Sequence, residues 1–461
     1  MTPQNPDQDD FLLFQAHFDQ LLNPAHPLIK LARQIKWQKF DEEFGSLYCP
    51  DNGAPAKATR LMVGLHYLKH TFNESDESVV LKWVENPYWQ AFCGYTHMQH
   101  ECPIHPTSMT RWRKRLGEER LLALLKMTVE VAVEQKHLPK RELEQVNVDT
   151  TVQEKNITHP TDSKLLYKAV VKLGRAARDR GIELRQSYVR VARKASIKAG
   201  RYAHARQFGR MQRMLRRLRT WTGRLIRDID RKCSHPDSAL AELLSRCTRL
   251  VGQKPQDKNK LYSLHEPEVR CISKGKAHKR YEFGQKISLA TTNRRNWFVG
   301  ARLCPGNPYD GHTLDDTLKQ VESLTGVTLK QVYVDKGYRG HDYTASAQVH
   351  IAGTGSKRCK ASLRKRRRRR SAIEPKIGHA KRENRMGRCY LKGLIGDAMN
   401  AVLAAAGANL AKLLRLLPCA DRIQHADHTS AAGWLCRVQA RWANRTAPTT
   451  LRFTPYWALA A

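Results

Sequence analysis

Three acidic residues occupy positions from which their carboxylates could act together in metal-dependent chemistry. Asp149 lies in the segment 145–152, whose alternating β-branched residues predict a strand, and Asp335 ends a second predicted strand, 331–335. Glu374 stands at the predicted start of a later helix. Carboxylates from separate elements supply the hard oxygen ligands that two Mg²⁺ ions, or Mn²⁺ in their place, require for displacement at phosphorus. The three acids therefore predict a two-metal centre for phosphoryl transfer.

Each acid has a simpler interpretation when it is taken singly. An acid at the end of a strand is usually a helix cap or an ion-pair partner. The turn-rich loop 304–312 adds Asp310 and His312 as second-choice catalytic residues, although its turn residues first predict a role in ordering the loop. Glu383 is the alternative third acid.

Cationic side chains are dense around the predicted centre. The arginine-rich block 364–370 could neutralise several phosphates at once, and binding of that kind weakens as the salt concentration rises. A solvated charge run is the alternative for the block, as a plain helix-face lysine is for Lys381. We expect contacts with a nucleic-acid backbone from six residues: Lys336, Arg339, Arg366, Arg367, Arg370 and Lys381.

Strands and helices alternate around these residues in the order of a layered α/β domain. Besides the two strands that hold the aspartates, strands are predicted over 286–291, 297–303 and 348–351, and helices over 314–324 and 391–417. With a helical insertion after the first strand set aside, this order is the pattern of the RNase H-like fold, a mixed sheet flanked by helices. The predicted fold class is therefore α/β.

The same patterns divide the chain into segments. Two short helices joined by a tight turn in the first segment predict a helix-turn-helix reader of DNA, and an ordinary amphipathic bundle explains them equally well. The segment after the first strand is dense in arginine and predicts a long, charged helical pair, which could bind DNA or a partner subunit. The predicted divisions are a helical DNA-binding domain at 1–140, a catalytic domain at 141–163 plus 265–417, a basic helical insertion at 164–264 and a C-terminal tail at 418–461.

The net charge indicates a polyanionic partner. The 461 residues include 81 Lys and Arg against 43 Asp and Glu, a net charge of +38, together with enough apolar residues for a folded core. Nucleic acids are the commonest polyanions inside cells. A membrane is not expected as a partner, because the most apolar run, 398–417, is interrupted by Asn, Lys and Arg.

The N-terminal residues and the cysteines indicate the compartment. The chain begins with polar and acidic residues, which predicts a protein that stays in the cytoplasm, associated with the nucleoid. Eleven scattered cysteines include no CxxC pair and predict reduced thiols. A zinc site formed by Cys93, Cys102 and nearby histidines would match no common finger spacing.

Three short segments resemble the catalytic regions of bacterial insertion-sequence transposases of the DDE class, in particular the family numbered five. They are 149–151, 333–338 and 370–381. The third region of that family carries Tyr, Arg, Glu and Lys separated by two, three and six residues. Arg370, Glu374 and Lys381 fall on those spacings, and the tyrosine position holds Arg367.

The resemblance extends from about Phe40 to Leu417, since the segments 61–69, 86–94 and 388–401 are also similar to this family. It implies a transposase that recognises terminal inverted repeats, frees a 3′-hydroxyl and joins that end to target DNA. Synapsis of two ends implies at least a homodimer. Two alternatives stay open: a catalytically silent DNA-binding regulator derived from a transposase, and an RNase H-like nuclease without joining activity.

Overall fold

The computed structural model describes residues 16–49, 55–254, 256–273, 280–353 and 361–417. The predicted C-terminal tail lies outside the described residues. Within them, the α-helices are Phe18–Leu21 (α1), Pro27–Gln34 (α2), Gln38–Gly45 (α3), Thr59–Thr71 (α4), Asp76–Glu85 (α5), Pro87–Phe92 (α6), Pro106–Glu134 (α7), Asp162–Arg178 (α8), Val189–His204 (α9), Phe208–Lys232 (α10), Ser238–Gly252 (α11), Leu314–Thr325 (α12), Ala361–Arg369 (α13), Ile373–Glu383 (α14) and Gly393–Leu416 (α15).

One mixed sheet organises the protein. The strands within the described residues are Gln145–Lys155 (β1), Arg270–Ser273 (β2), Tyr281–Thr292 (β3), Phe298–Cys304 (β4), Gln331–Val334 (β5), Gln348–Ile351 (β6) and Arg388–Cys389 (β7). β3 pairs antiparallel with β1 along one edge and with β2 and β4 along the other. β5 is parallel to β1, and β6 is parallel to β5. This arrangement confirms the α/β class, with the mixed sheet that the sequence predicted.

The long strands β1 and β3 form where β-branched and polar residues alternate, because such residues fit a pleated, half-buried surface. Val146 and Val148 of β1 are fully buried in the main core. β3 approaches β1 most closely at Gly284, where an added Cβ would lie 1.9 Å from the Gln153 carbonyl oxygen. Only glycine permits this approach.

The helices before β1 share the core of the sheet. A single hydrophobic cluster includes Leu61 of α4 and Leu124 of α7, together with Val332 of β5 and Val402 of α15. An added Cβ at Gly407 of α15 would lie 2.6 Å from the His70 Cβ of α4, so the small residue sets the distance between these two helices. The boundaries of the predicted N-terminal and catalytic domains stay predictions.

The basic segment between β1 and β2 forms four helices, α8 to α11, around a separate hydrophobic cluster. The expectation of a helical pair was therefore wrong for this segment. The additional helix ends come from backbone conformation that hydrophobic periodicity does not report. Gly181 takes a φ of +66° after α8, and Tyr188 takes a φ of +55° immediately before α9.

Helix α15 is long and apolar enough to cross a membrane, but 83% of its most apolar window is buried inside the protein. Its polar residues are satisfied internally. Asn409 accepts a hydrogen bond from the Phe298 backbone N–H over 2.9 Å and donates to the Phe298 carbonyl over 2.8 Å. Asn400 donates to Gln153 over 2.9 Å. These contacts make α15 the central helix of the core.

Candidate active site

The pairing of β1 with β5 brings two of the predicted acids together. Gln145 is opposite Gln331 and Asn147 is opposite Tyr333, in parallel register. Continued by two residues, this register places Asp149 opposite Asp335, the residue directly after β5. Neighbouring strands are about 4.8 Å apart, and side chains in register lie on the same face of a sheet. The two aspartates therefore share one face at the carboxyl end of β5.

Glu374 is linked to Asp335 through the side chain of Arg370. It lies in the first turn of α14, as the sequence predicted, and Arg370 lies in the 3₁₀ turn just before that helix. Nη2 of Arg370 donates to Oε1 of Glu374 over 3.1 Å and lies 3.7 Å from Oδ1 of Asp335. The Arg370 side chain is 14% exposed, whereas those of Asp335 and Glu374 are 50% and 60% exposed. A mostly buried guanidinium thus joins two accessible carboxylates.

The guanidinium of Arg370 is only partly satisfied. Its Nη1 is buried and has no hydrogen-bond partner among the described residues. A cation held by two exposed carboxylates, with one N–H donor unused, can donate that N–H to a phosphate oxygen without first breaking another hydrogen bond.

Tyr338 reports the electrostatics beneath the acids. Burial raises the pKa of Tyr338 well above its usual range, and the charges of Asp149 and Asp310 raise it further. Asp149 itself accepts a hydrogen bond from the Thr150 backbone N–H over 2.8 Å. The phenol therefore stays neutral, and the negative charge of the site resides on carboxylates.

The loop that holds Asp310 and His312 lies against the sheet. Asp310 accepts hydrogen bonds from the Thr150 hydroxyl and from Lys286, each over 2.9 Å. Because successive strand residues point to opposite faces, Thr150 and Asp149 face opposite sides of β1. His312 is paired instead with Asp342, 2.9 Å away. These contacts fix the loop, which is the ordering role expected first for it.

The arginine block forms helix α13 and continues into the 3₁₀ turn, and two of its guanidinium groups face the sheet. Arg366 donates to the Gln331 side chain over 3.0 Å, and Arg367 lies 3.3 Å from Nδ1 of His350. Burial lowers the pKa of His350, and Arg367 and Arg366 lower it further. The ring is therefore neutral, and its Nδ1 can accept from Arg367.

Two asparagines that the sequence analysis missed attach α13 to the sheet. Asn293 donates to the Asn147 side chain over 2.6 Å and to the Arg366 carbonyl over 3.1 Å. Asn147 donates to the Arg369 carbonyl over 3.4 Å. Asn147 precedes Asp149 by two residues, on the same face of β1. The feature of the sequence that could have pointed to Asn147 is its polar side chain, which stands between Val146 and Val148 in a predicted strand.

The other predicted nucleic-acid contacts have different surroundings. Lys381 donates to the Val152 carbonyl of β1 over 2.7 Å. Lys336 and Arg339 are exposed directly after Asp335, and the stem of Lys336 passes over Gly353, 2.9 Å from where a Cβ would lie. Glu383, the alternative third acid, pairs with His379 over 2.6 Å.

The donor chemistry of the site suits Mg²⁺ or Mn²⁺, since carboxylate oxygens are the ligands these ions prefer. Among the described residues, however, no group of three or more His, Cys, Asp or Glu side chains is arranged to hold a metal ion. Arg370 supplies the positive charge between Asp335 and Glu374. The three acids can therefore bind a metal ion together only if the Arg370 guanidinium moves away from Asp335 and Glu374.

Comparison with known proteins gives a family match in each of two separate regions of the chain. Residues 16–115 match the family described as a transposase domain (DUF772), and residues 330–414 match the family described as a transposase DDE domain. The second region contains Asp335 and Glu374. The class defined by these matches and by the mixed α/β fold is that of transposases.

A curated relative from Rhizobium meliloti, an uncharacterized protein ORF8 in the nfe locus, is 55% identical over 208 residues, which are 45% of this chain and the whole of that relative. No solved structure gives a significant match to the chain. The protein belongs to the bacterial insertion-sequence transposases of the DDE class. Its place in the family numbered five within that class stays a prediction.

Proposed function

We propose that this transposase cuts DNA at the terminal inverted repeats of its insertion sequence and joins the freed 3′-hydroxyl to target DNA. Asp149, Asp335 and Glu374 are the proposed catalytic acids. The observation that supports the proposal is the parallel register of β1 and β5, whose continuation by two residues would set Asp335 opposite Asp149, with Arg370 linking Asp335 to Glu374.

The sheet supports an RNase H-like core. Three antiparallel strands, β4, β3 and β1, are followed across the sheet by β5 and β6, both parallel to β1. The basic helices α8 to α11 leave the sheet after β1 and return before β2, so the four-helix insertion does not interrupt this order.

The three acids would hold two Mg²⁺ ions, for which Mn²⁺ can substitute. Such ions, when bound, activate the attacking hydroxyl and stabilise the departing oxygen. Arg370 has a defined part in this proposal: it neutralises Asp335 and Glu374 in the free protein and turns its unused Nη1 toward a phosphate when DNA enters. Asn147 and Asn293 keep the turn that carries Arg370 fixed against the sheet.

Several cations would contact DNA near the acids. Lys336 and Arg339 are exposed next to Asp335, and Arg370 lies beside it. Arg366 and Arg367 reach the same sheet from α13, at Gln331 and His350. Lys381 lies on α14, and its side chain donates a hydrogen bond to the backbone of β1. We also propose that the N-terminal helices read the inverted repeat, that at least two subunits join the two ends, and that the protein works in the cytoplasm on the nucleoid.

The test is cleavage and joining of a labelled inverted-repeat end with Mg²⁺ or Mn²⁺. We expect Asp149→Asn to lower the cleavage rate by at least about 10²-fold, because a metal ligand contributes several kcal/mol to the transition state. Binding of the same DNA should be unchanged. Asp315→Asn is the matched control, since Asp315 is an acid on α12 paired only with Lys319 in the described structure. Full cleavage by the Asp149 variant would refute the assignment of the acids.

A further inference from the structure

The second and third helices of the insertion carry a large share of the positive charge of the protein. Residues 189–232, which cover α9 and α10, contain twelve Arg and three Lys against two Asp. That is about a third of the net charge of +38 in less than a tenth of the chain. Like charges at this density repel one another unless a polyanion neutralises them.

The packing of α10 sorts its residues into two faces. Leu218, Leu225 and Ile229 are almost completely buried in the core of the insertion. The opposite side carries exposed arginines, and we name it the α10 arginine face: Arg213, Arg216, Arg217 and Arg224. The arginines thus stand on the outside of a helix whose position is fixed by its apolar side.

The α10 arginine face lacks internal neutralisation. Among the described residues, no carboxylate lies within ion-pair distance of Arg213, Arg217 or Arg224, whereas Arg219, which points away from this face, is paired with Asp162 over 3.3 Å. An uncompensated row of guanidinium groups needs a ligand with negative charges at intervals along its length.

An aromatic pair stiffens the floor of this face. Arg213, Arg216, Arg217 and Arg224, with Thr220 and Trp221, line one shallow depression. The Trp221 ring is stacked on Tyr188, with 6.0 Å between ring centroids and 16° between ring planes. The backbone of Tyr188 has a left-handed conformation, with a φ of +55°. The depression is therefore a built surface and not a chance cluster of flexible side chains.

We propose that the α10 arginine face binds the phosphate backbone of duplex DNA, a proposal that rests on the proposed function. Guanidinium groups bind phosphate through two parallel hydrogen bonds, and this favours arginine over lysine at such a surface. The α10 arginine face runs from Arg213 to Arg224, about 17 Å along the helix, which is long enough for its guanidinium groups to reach several phosphates of a duplex. A contact with phosphates alone carries no base sequence, so this face holds DNA of any sequence.

A second subunit fits this face less well than DNA does. Arginine is common at protein interfaces, but a row of four arginines at the centre of one would need facing carboxylates to neutralise it. The exposed apolar side chains of α9 and α10 lie outside the arginine face. Val191 and Ile197 are on α9, and Phe208 is the first residue of α10, before the arginine face begins. No carboxylate row that could complement the arginines on a second copy occurs in α9 or α10.

The test compares two triple variants of the full chain that lose the same charge. One is Arg213→Gln, Arg217→Gln and Arg224→Gln. The control is Lys136→Gln, Lys319→Gln and Lys330→Gln, which changes exposed lysines outside the insertion. Binding to a random-sequence 40-base-pair duplex is measured in EDTA against salt concentration. Each lost phosphate contact makes the plot of log K against log salt less steep by about 0.9. The slope for the arginine variant should therefore be smaller in magnitude by about 2.7, and the variant should bind DNA on the order of 10²-fold more weakly at 0.1 M salt.

The outcomes separate this proposal from others. A smaller slope for the arginine variant alone, restored by Arg→Lys at the same positions, supports it. Equal losses in both triple variants would overturn it, as would weaker binding to a duplex RNA with unchanged binding to DNA. A changed subunit mass in sedimentation with unchanged DNA affinity would also overturn it, in favour of a subunit contact.

The binding assay contains no divalent metal, so its result is independent of the proposed chemistry. Cleavage by the wild type is measured separately, at low salt and with enough protein to saturate the DNA. If the wild type never cleaves while the loss of slope holds, the proposed function fails and the DNA surface stands. If cleavage is normal and the slope is unchanged, only the DNA surface fails.

Discussion

The guanidinium of Arg370 donates a hydrogen bond of 3.1 Å to the carboxylate of Glu374, one helical turn ahead of it. The same nitrogen lies 3.7 Å from Asp335. A charge-assisted bond of this kind would be strong if buried, but both carboxylates are at least half exposed and water screens them. The arginine therefore neutralises these two acids in a way that a divalent cation or a phosphate can reverse.

Glu374 and Glu383 lie on the same helix, which allows a matched test of the third acid. We expect Glu374→Gln to lower the cleavage rate by at least about 10²-fold, because the amide loses a negative ligand oxygen. Glu383→Gln should stay within about twofold of the wild type, since Glu383 pairs with His379. Cleavage of a labelled inverted-repeat end measures both. The reverse ranking would move the third acid to Glu383.

Arg370 competes with metal for Asp335 and Glu374. Replacing it with Gln removes a positive charge between these acids, so Mn²⁺ should bind about tenfold more tightly, as measured by calorimetry in the absence of DNA. DNA cleavage should still fall, because the donor to phosphate is lost. Arg367→Gln is the control, since Arg367 faces His350. Mn²⁺ affinity that is identical in the wild type and both variants would contradict the competition.

Asn147 and Asn293 should contribute to stability as a coupled pair. Asn147 is fully buried, and its loss leaves the Asn293 amide with the Arg366 carbonyl as its remaining partner and removes the Asn147 donor from the Arg369 carbonyl. We expect Asn147→Ala to lower the free energy of unfolding by about 1–3 kcal/mol. In a double-mutant cycle with Asn293→Ala, urea unfolding should give a coupling energy above about 0.5 kcal/mol. Additive effects would show that the 2.6 Å contact contributes nothing of its own.

Lys376 of α14 should make stability depend on pH. Burial, together with the charges of the nearby Lys412 and Arg415, lowers the pKa of Lys376 to about 7. The unfolded chain therefore binds more protons than the folded one between about pH 7 and 10, so stability rises with pH across this window. We expect Lys376→Met to flatten that rise by on the order of 2 kcal/mol in thermal unfolding, since part of the full shift is screened. The exposed Lys319→Met is the control, and an unchanged pH profile in the Lys376 variant would count against the burial of its charge.

The elements that carry the acids could be predicted because local patterns specify them. β1 follows from alternating β-branched residues and β5 from a short apolar run that ends at Asp335. The first turn of α14 at Glu374 was equally readable. Sequence patterns were less informative where the backbone conformation of a single residue sets the end of a helix. Tyr188 is such a residue, and it lies in the segment that was predicted to be a helical pair but forms four helices. The predicted start of α15 near Leu391 was also early, since Gly393 takes a φ of +72° and begins the helix there.

By itself, the sequence determined the strands and the helix that carry the three acids, the large positive charge of the chain, and which three acids to examine. Only the tertiary structure decided the register that sets Asp335 opposite Asp149, the position of Arg370 beside Asp335 and Glu374, and the attachment of α13 by Asn147 and Asn293. The reason is physical. Periodicity is a property of a few neighbouring residues, whereas register and the contacts between elements depend on how separate segments of the chain pack against one another.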